Sequence, residues 1–109
     1  MSVYLVWSNV AQLWWKPGRC GYTADLWDAG RFSAAQAADV CKTRTWEDGK
    51  PPPEVMVLAP EGDRGTLHVE EIRAAPEVMR RRVAEATKTA IEARNAFAAF
   101  EALAKEASR

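Results

Sequence analysis

An α+β fold is predicted by three observations in this 109-residue chain: two short apolar runs near the N-terminus separated by turn residues, a capped helix followed by another apolar run, and an unbroken alanine-rich stretch filling the last third. Together they predict a small antiparallel sheet in the order strand, strand, helix, strand, with one short helix, followed by a long C-terminal α-helix. Composition divides the chain in the same way. All five tryptophans (Trp7, Trp14, Trp15, Trp27, Trp46) and both tyrosines fall within the first 46 residues. The predicted organisation is an aromatic-rich ββαβ unit over residues 1–60, a linker or short element over 61–75, and a long helix over 76–109 that packs on the unit or on a partner. A chain of this length buries about 65% of its unfolded surface, enough for one modest core.

The run Val3-Tyr-Leu-Val-Trp-Ser8 is β-branched and aromatic and suits a buried strand. Asn9 begins a turn, Gln12 to Lys16 form the second strand, and Pro17-Gly18 ends it. Neighbouring strand residues point to opposite faces, so only one of Trp14 and Trp15 enters a given core. The other meets a covering element, solvent or a partner. Gly21 to Arg31 reads as a tight, structured connection. Ser33-Ala-Ala-Gln36 carries a capping box, in which the serine hydroxyl accepts from a free backbone N–H and the glutamine reaches back; Phe32 is placed to staple it. A helix from Ala34 to about Lys42 follows. Pro51-Pro52-Pro53 stops helical continuation before a third strand at Glu54-Val-Met-Val-Leu58. Glu61 to Gly65 is turn-rich, and Thr66 to Ile72 is compatible with either a strand or a helix start.

Pro76 suits a first helical turn, and nothing after it breaks a helix. About 30 helical residues would extend ~45 Å, more than a small domain is wide. Met79, Val83, Ala86, Ala90, Ala93, Phe97, Phe100, Ala104 and Ala107 recur in alternating steps of four and three, the seam of a coiled coil. A seam rich in alanine favours close antiparallel packing over a parallel zipper. Met79, Val83, Phe97 and Phe100 are its large members, and they predict docking on the chain's own sheet or a homodimer through this helix. Arg81 with Glu85, Lys88 with Glu92, and Glu101 with Lys105 lie one turn apart with opposite charge.

Charge and motif content weigh against several functions. Lysine plus arginine equals aspartate plus glutamate at 15 each, so no long-range field draws the chain to nucleic acid or membrane. No stretch reaches the ~18 apolar residues of a membrane span, and the N-terminus has no signal-peptide pattern, so a cytoplasmic location is expected. Cys20 and Cys41 are too few and too far apart for a zinc pattern, and a reducing compartment keeps them as thiols. His68 has no nucleophile motif beside it. Glu70, Glu71 and Asp63 lack the alternating ligands of a calcium loop and read as solvated charge. Glycines 18, 21 and 30 mark turns and form no phosphate cradle. No catalytic set, metal site or cofactor is therefore expected. Arg80, Arg81 and Arg82 sit early in the helix, where the macrodipole disfavours cations; solvent exposure accounts for them first, and an acidic or phosphate partner is the alternative. The tryptophans point more strongly to protein contact, because a small core houses two or three and tends to surface the rest. Trp14, Trp15, Trp27, Arg80, Arg81 and Arg82 are the candidate partner-binding residues.

Tyr4-Leu-Val-Trp-Ser-Asn9, then Trp14-Trp15-Lys-Pro17, Gly21-Tyr-Thr23 with Asp25, and Ala29-Gly-Arg-Phe-Ser33 followed by Ala37, resemble a group of short, uncharacterised proteins common in phages and prophages. The likeness covers residues 3 to 58, and the alanine-rich tail departs from its shortest members. That group carries no settled biochemical activity, so the resemblance implies a mobile-element context rather than a mechanism. Such a context raises the expectation of a non-enzymatic accessory protein in a bacterial host cell that blocks a defence complex, such as a CRISPR effector, by occluding a protein surface. A nucleic-acid-binding accessory protein and a homo-oligomeric assembly protein are the alternatives, the former disfavoured by the zero net charge.

Overall fold

The computed structural model describes residues 2–42, 44–62, 64 and 66–107. Strands β1 (Tyr4–Ser8), β2 (Leu13–Trp15), β3 (Tyr22–Thr23) and β4 (Glu54–Leu58) form one antiparallel sheet in the order β3-β2-β1-β4. Helices α1 (Ala34–Cys41) and α2 (Val69–Ala107) complete the α+β fold. The turn after β1 is closed by Ser8, whose Oγ accepts from Ala11 N and whose carbonyl accepts from Gln12 N. Gln12 takes a left-handed conformation, with φ of 58°, and so belongs to the turn; β2 begins at Leu13. Strand β3 lies inside the segment expected to be a structured connection. Two residues are too few to carry a readable alternation.

The pleat sorts the sheet into two cores. Leu5 and Trp14 face one side with Val57, and there they meet Leu26, Ala29, Ala59 and the α2 residues Ala75 and Met79. Val6 faces the other side and packs with Phe32, Ala37 and Val40, with Trp15 and Met56 partly buried against them. Trp14 and Trp15 thus serve opposite faces, as strand geometry requires. The α1 start has both bonds of its capping box, Gln36 N to Ser33 Oγ at 3.2 Å and Ser33 N to Gln36 Oε1 at 3.0 Å. Phe32 precedes the cap and shares a cluster with Ala37, four residues into the helix, which is the staple arrangement. Phe32 also exchanges two 2.8 Å backbone bonds with Tyr4, which ties the α1 entrance to β1. Gly30 allows that approach: a Cβ there would lie 2.8 Å from the Phe32 ring.

Helix α2 starts at Val69, earlier than Pro76 suggests, and Pro76 stands inside it. The early start suits Glu70 and Glu71, whose charges complement the N-terminal end of the helix dipole. Pro76 has no N–H to give the Ile72 carbonyl, yet buried Ala75 and Met79 on either side hold this stretch to the sheet. The expected linker over 61–75 therefore contains the first seven residues of α2, while Asp63 and Gly65 lie outside the described residues. At 39 residues α2 is ~58 Å long, and it sets the longest dimension of the molecule, 59 Å against 27 and 24 Å.

A carboxyl side chain is folded into the α1 side of the sheet beside buried Ser8. Glu54 pairs with Ser8 across the β1–β4 ladder, its carboxyl is fully buried, and its partner is Arg44, with Nε 3.4 Å from Oε1. Burial pushes the Glu54 carboxyl above its ordinary value of 4.5, and nearby Arg44 and Arg19 only partly oppose this. A raised folded-state pKa stabilises the fold below the unfolded value and is lost as pH rises through the folded one. Glu54→Gln, which cannot ionise, is expected to be more stable than the parent at neutral pH and to flatten the decline above pH 4.5; urea unfolding across pH 4 to 8 reads both. Met79 is 1% exposed, and Met79→Ala is expected to cost about 2–4 kcal/mol in the same assay.

Candidate partner-docking groove

The α2 side of the sheet is not fully closed. Between the helix and the tryptophan end of the sheet runs an open groove of about 1,090 Å³. Its floor is Trp7 and Trp14, cross-strand neighbours packed edge to face with ring centroids 4.9 Å apart. One wall is α2, through Met79, Val83, Thr87 and Ile91; the other is the loop carrying Leu26 and Trp27. Asp25, Arg80, Lys88 and Glu92 rim it, two charges of each sign.

The Trp27 loop is built to hold its shape. Thr23 Oγ1 accepts from Asp25 N at 3.0 Å, and Asp25 Oδ1 accepts from Trp27 N at 2.9 Å, so two side chains replace backbone partners in successive turns. Arg31 then braces the loop from behind. It donates to the carbonyls of Leu26 and Ala29 at 2.8 and 2.9 Å, pairs with Glu61 at 2.6 Å, and lies 5.8 Å from the Trp27 ring centroid. Burial alone would raise the Glu61 carboxyl, but the Arg31 bonds outweigh it and hold the group below its ordinary value. Trp27 remains 46% exposed on this fixed loop.

At its far end the groove is bounded by Pro51. Asn9 joins that segment to the helix, donating from Nδ2 to Pro52 O at 2.8 Å and to Thr87 Oγ1 at 3.3 Å. Beyond it, Arg94 of α2 stacks on Trp46 with its guanidinium carbon 4.4 Å from the ring centroid, and pairs with Asp48 at 2.5 Å. The fifth tryptophan is thus a clasp between the segment before β4 and α2. No obvious signal marked it, because its partner lies 48 residues away.

The residues singled out from the sequence are separated by the fold. Trp14 is core and groove floor, whereas Trp15 lies on the opposite face, half-buried and packed against Tyr22 with centroids 4.4 Å apart and ring planes inclined by 42°. Consecutive helical residues diverge by 100°, so Arg80, Arg81 and Arg82 cannot form one patch. Arg80 reaches the groove rim, Arg81 lies on a different side, and Arg82 bonds the carbonyls of Leu58 and Ala59 at 2.7 and 3.1 Å. Arg82 pins the end of β4 to α2. Met79 and Val83 pack on the sheet side, while Phe97 and Phe100 lie beyond it, 63% and 68% exposed. Of the predicted one-turn charge pairs, Lys88 and Glu92 approach to 4.0 Å.

Little else offers chemistry. Cys20 and Cys41 are free thiols; burial first, and Glu54 second, push Cys41 up to about 11, so at neutral pH it is a protonated, weak nucleophile. His68 is exposed, and its carbonyl accepts the first bond of α2 from Ile72 N. Glu71 is held below its ordinary value by its hydrogen bond from Arg64, while Asp63, weighed with it as a cation ligand, is outside the described residues. Among the described residues no cluster of three His, Cys, Asp or Glu side chains is placed to hold a metal ion, and no helix is long and apolar enough to cross a membrane.

No family model, curated protein or solved structure matches this chain. The division of labour among the arginines predicts a measurable contrast. Arg82→Ala is expected to destabilise the protein by about 1–3 kcal/mol through its two lost charge-assisted bonds, whereas Arg80→Ala should stay within about 0.5 kcal/mol; urea unfolding of the pair checks it.

Proposed function

We propose that the chain is a non-enzymatic binding protein that takes an apolar segment of a protein partner into the groove between α2 and the Trp27 loop. The observation that carries this reading is Trp27 itself: a large aromatic side chain, half exposed, on a loop braced by Asp25 and Arg31 beside an apolar cleft. Rigid, partly exposed tryptophans are favoured anchors of protein contact, because they bury much area while losing little side-chain freedom. The cleft suits the apolar face of a helix or an extended segment, and the mixed-sign rim sets orientation without demanding a charged ligand. Alanine and threonine at positions 84 and 87 leave room along the helical wall.

The mobile-element context that residues 3 to 58 suggest is compatible with a bacterial defence complex in the host cell as the partner, with the bound chain occluding a working surface of it. The nucleic-acid alternative draws less support. Its arginine cluster is split, with Arg80 at the groove and Arg81 away from it, Arg82 is consumed by the fold, and the net charge is zero.

Affinity capture from nuclease-treated host lysate, followed by titration of the recovered protein, tests the reading. Binding is expected to persist at about 0.5 M salt and to weaken at least thirtyfold in Trp27→Ala, the scale of a hot-spot residue of about 2 kcal/mol, with unfolding stability unchanged. Unaltered affinity in Trp27→Ala, or recovery only of nucleic acid with a steep salt dependence, would reject it.

A further inference from the structure

The apolar seam of α2 changes character where the helix leaves its own domain. Over the sheet it offers Met79 and Val83 and then alanines, Ala86 packing against the core and Ala90 and Ala93 lining the cleft beside β4. Near the edge of the domain Arg94 anchors the helix to Trp46 and Asp48. From Asn95 to Ala107 every residue is exposed, about 20 Å of projecting helix. Here the same face turns large: Phe97, Phe100 and Leu103 are 63%, 68% and 66% exposed. A solvated tip has no use for two phenylalanines and a leucine on one stripe, and single exposed apolar side chains are ordinary where a stripe of three is not.

We infer that this stripe is the self-association surface of the chain, covered by the same stripe of a second copy in an antiparallel helix pair. Spacing on the page favours a second copy over a foreign helix. In an antiparallel pair each layer joins one seam position to its opposite number, and the register that sets Phe97 against Ala107 of the second copy also sets Phe100 against its Ala104. Two-fold symmetry repeats both layers, so four consecutive layers each place an aromatic ring over a methyl group. Leu103, on the flank, then meets Leu103 of the second copy close to the axis. The stripe is complementary to itself, and the alanines leave room for the rings that face them. In this register the two sheet domains lie at opposite ends of the pair, clear of one another.

Area agrees with a reversible dimer. Two aromatic rings of about 200 Å² each, roughly two-thirds exposed, together with Leu103 and the alanines, supply on the order of 500 Å² per chain, or about 1,000 Å² in total. That is the lower end of specific interfaces. The association is therefore concentration-dependent, and the grooves of both copies stay open, which makes the dimer bivalent toward a partner.

Sedimentation equilibrium of the full chain from about 5 to 500 μM tests this. The weight-average mass is expected to climb from 12.1 kDa toward twice that value, and to remain at the monomer value throughout in the Phe97→Glu, Phe100→Glu double variant. Both positions are exposed, so the folded body should survive; Leu103→Glu, expected to shift the midpoint at least tenfold, is the second variant should the double one misfold. Trp27→Ala should leave the mass curve unchanged, which separates this inference from the groove reading. A parent chain that stays monomeric, or an oligomer that survives both tip variants, overturns the inference. So does a monomer whose tip variants lose a captured host protein, which would assign the stripe to that partner.

Discussion

Strand β1 is covered on both faces, and every neighbouring element answers to that constraint. Leu5 and Trp7 look toward α2, Tyr4 and Val6 look toward α1, and five residues must therefore seed two cores. Neither helix can be removed without exposing one of them. The two cores are also small, and polar devices complete them: the reciprocal bonds between Tyr4 and Phe32 bring α1 to the strand, and Arg82 fastens the far edge of the sheet to α2. A buried carboxyl group, Glu54, is accepted on the α1 side with Arg44 paired to it and Arg19 nearby, a local cost carried by the surrounding apolar packing.

The groove follows from the same arrangement. A straight helix laid on a twisted four-stranded sheet cannot follow it along its whole length, and the sheet is short at the tryptophan end, where β2 and β3 have three and two residues. The gap that opens is walled by the Trp27 loop, which Arg31 and Asp25 keep in place, and closed at one end by the Asn9 and Arg94 contacts. Recognition in such a site depends on shape and on a few anchored aromatic residues. It does not require the long-range charge that the chain lacks.

Helix α2 joins two tasks along one seam. Its earlier part uses methionine, valine and alanine to lie close on the sheet; its last part presents phenylalanine and leucine where no sheet remains. The change of side-chain size coincides with the edge of the domain, which is the physical reason to treat the projecting part as a surface and the earlier part as core. A chain with both a groove and a projecting stripe has two separable binding elements, and their effects on affinity multiply if both engage together.

Local chemistry made much of this legible in the sequence. The Ser33 capping box, the Phe32 staple, the strand runs at 4–8 and 54–58 and the unbroken final helix each depend on residues a few positions apart, and the backbone follows such rules wherever packing does not oppose them. The alternation of Trp14 and Trp15 was likewise settled by strand geometry alone. What only the tertiary structure decided were features made by residues far apart in the chain: the start of α2 at Val69 despite Pro76, the clasp of Trp46 by Arg94, the use of Arg82 as a pin, and the exposure of Trp27 rather than Trp14. Each turns on which surface meets which after the layers pack, and no local pattern of side chains encodes that meeting.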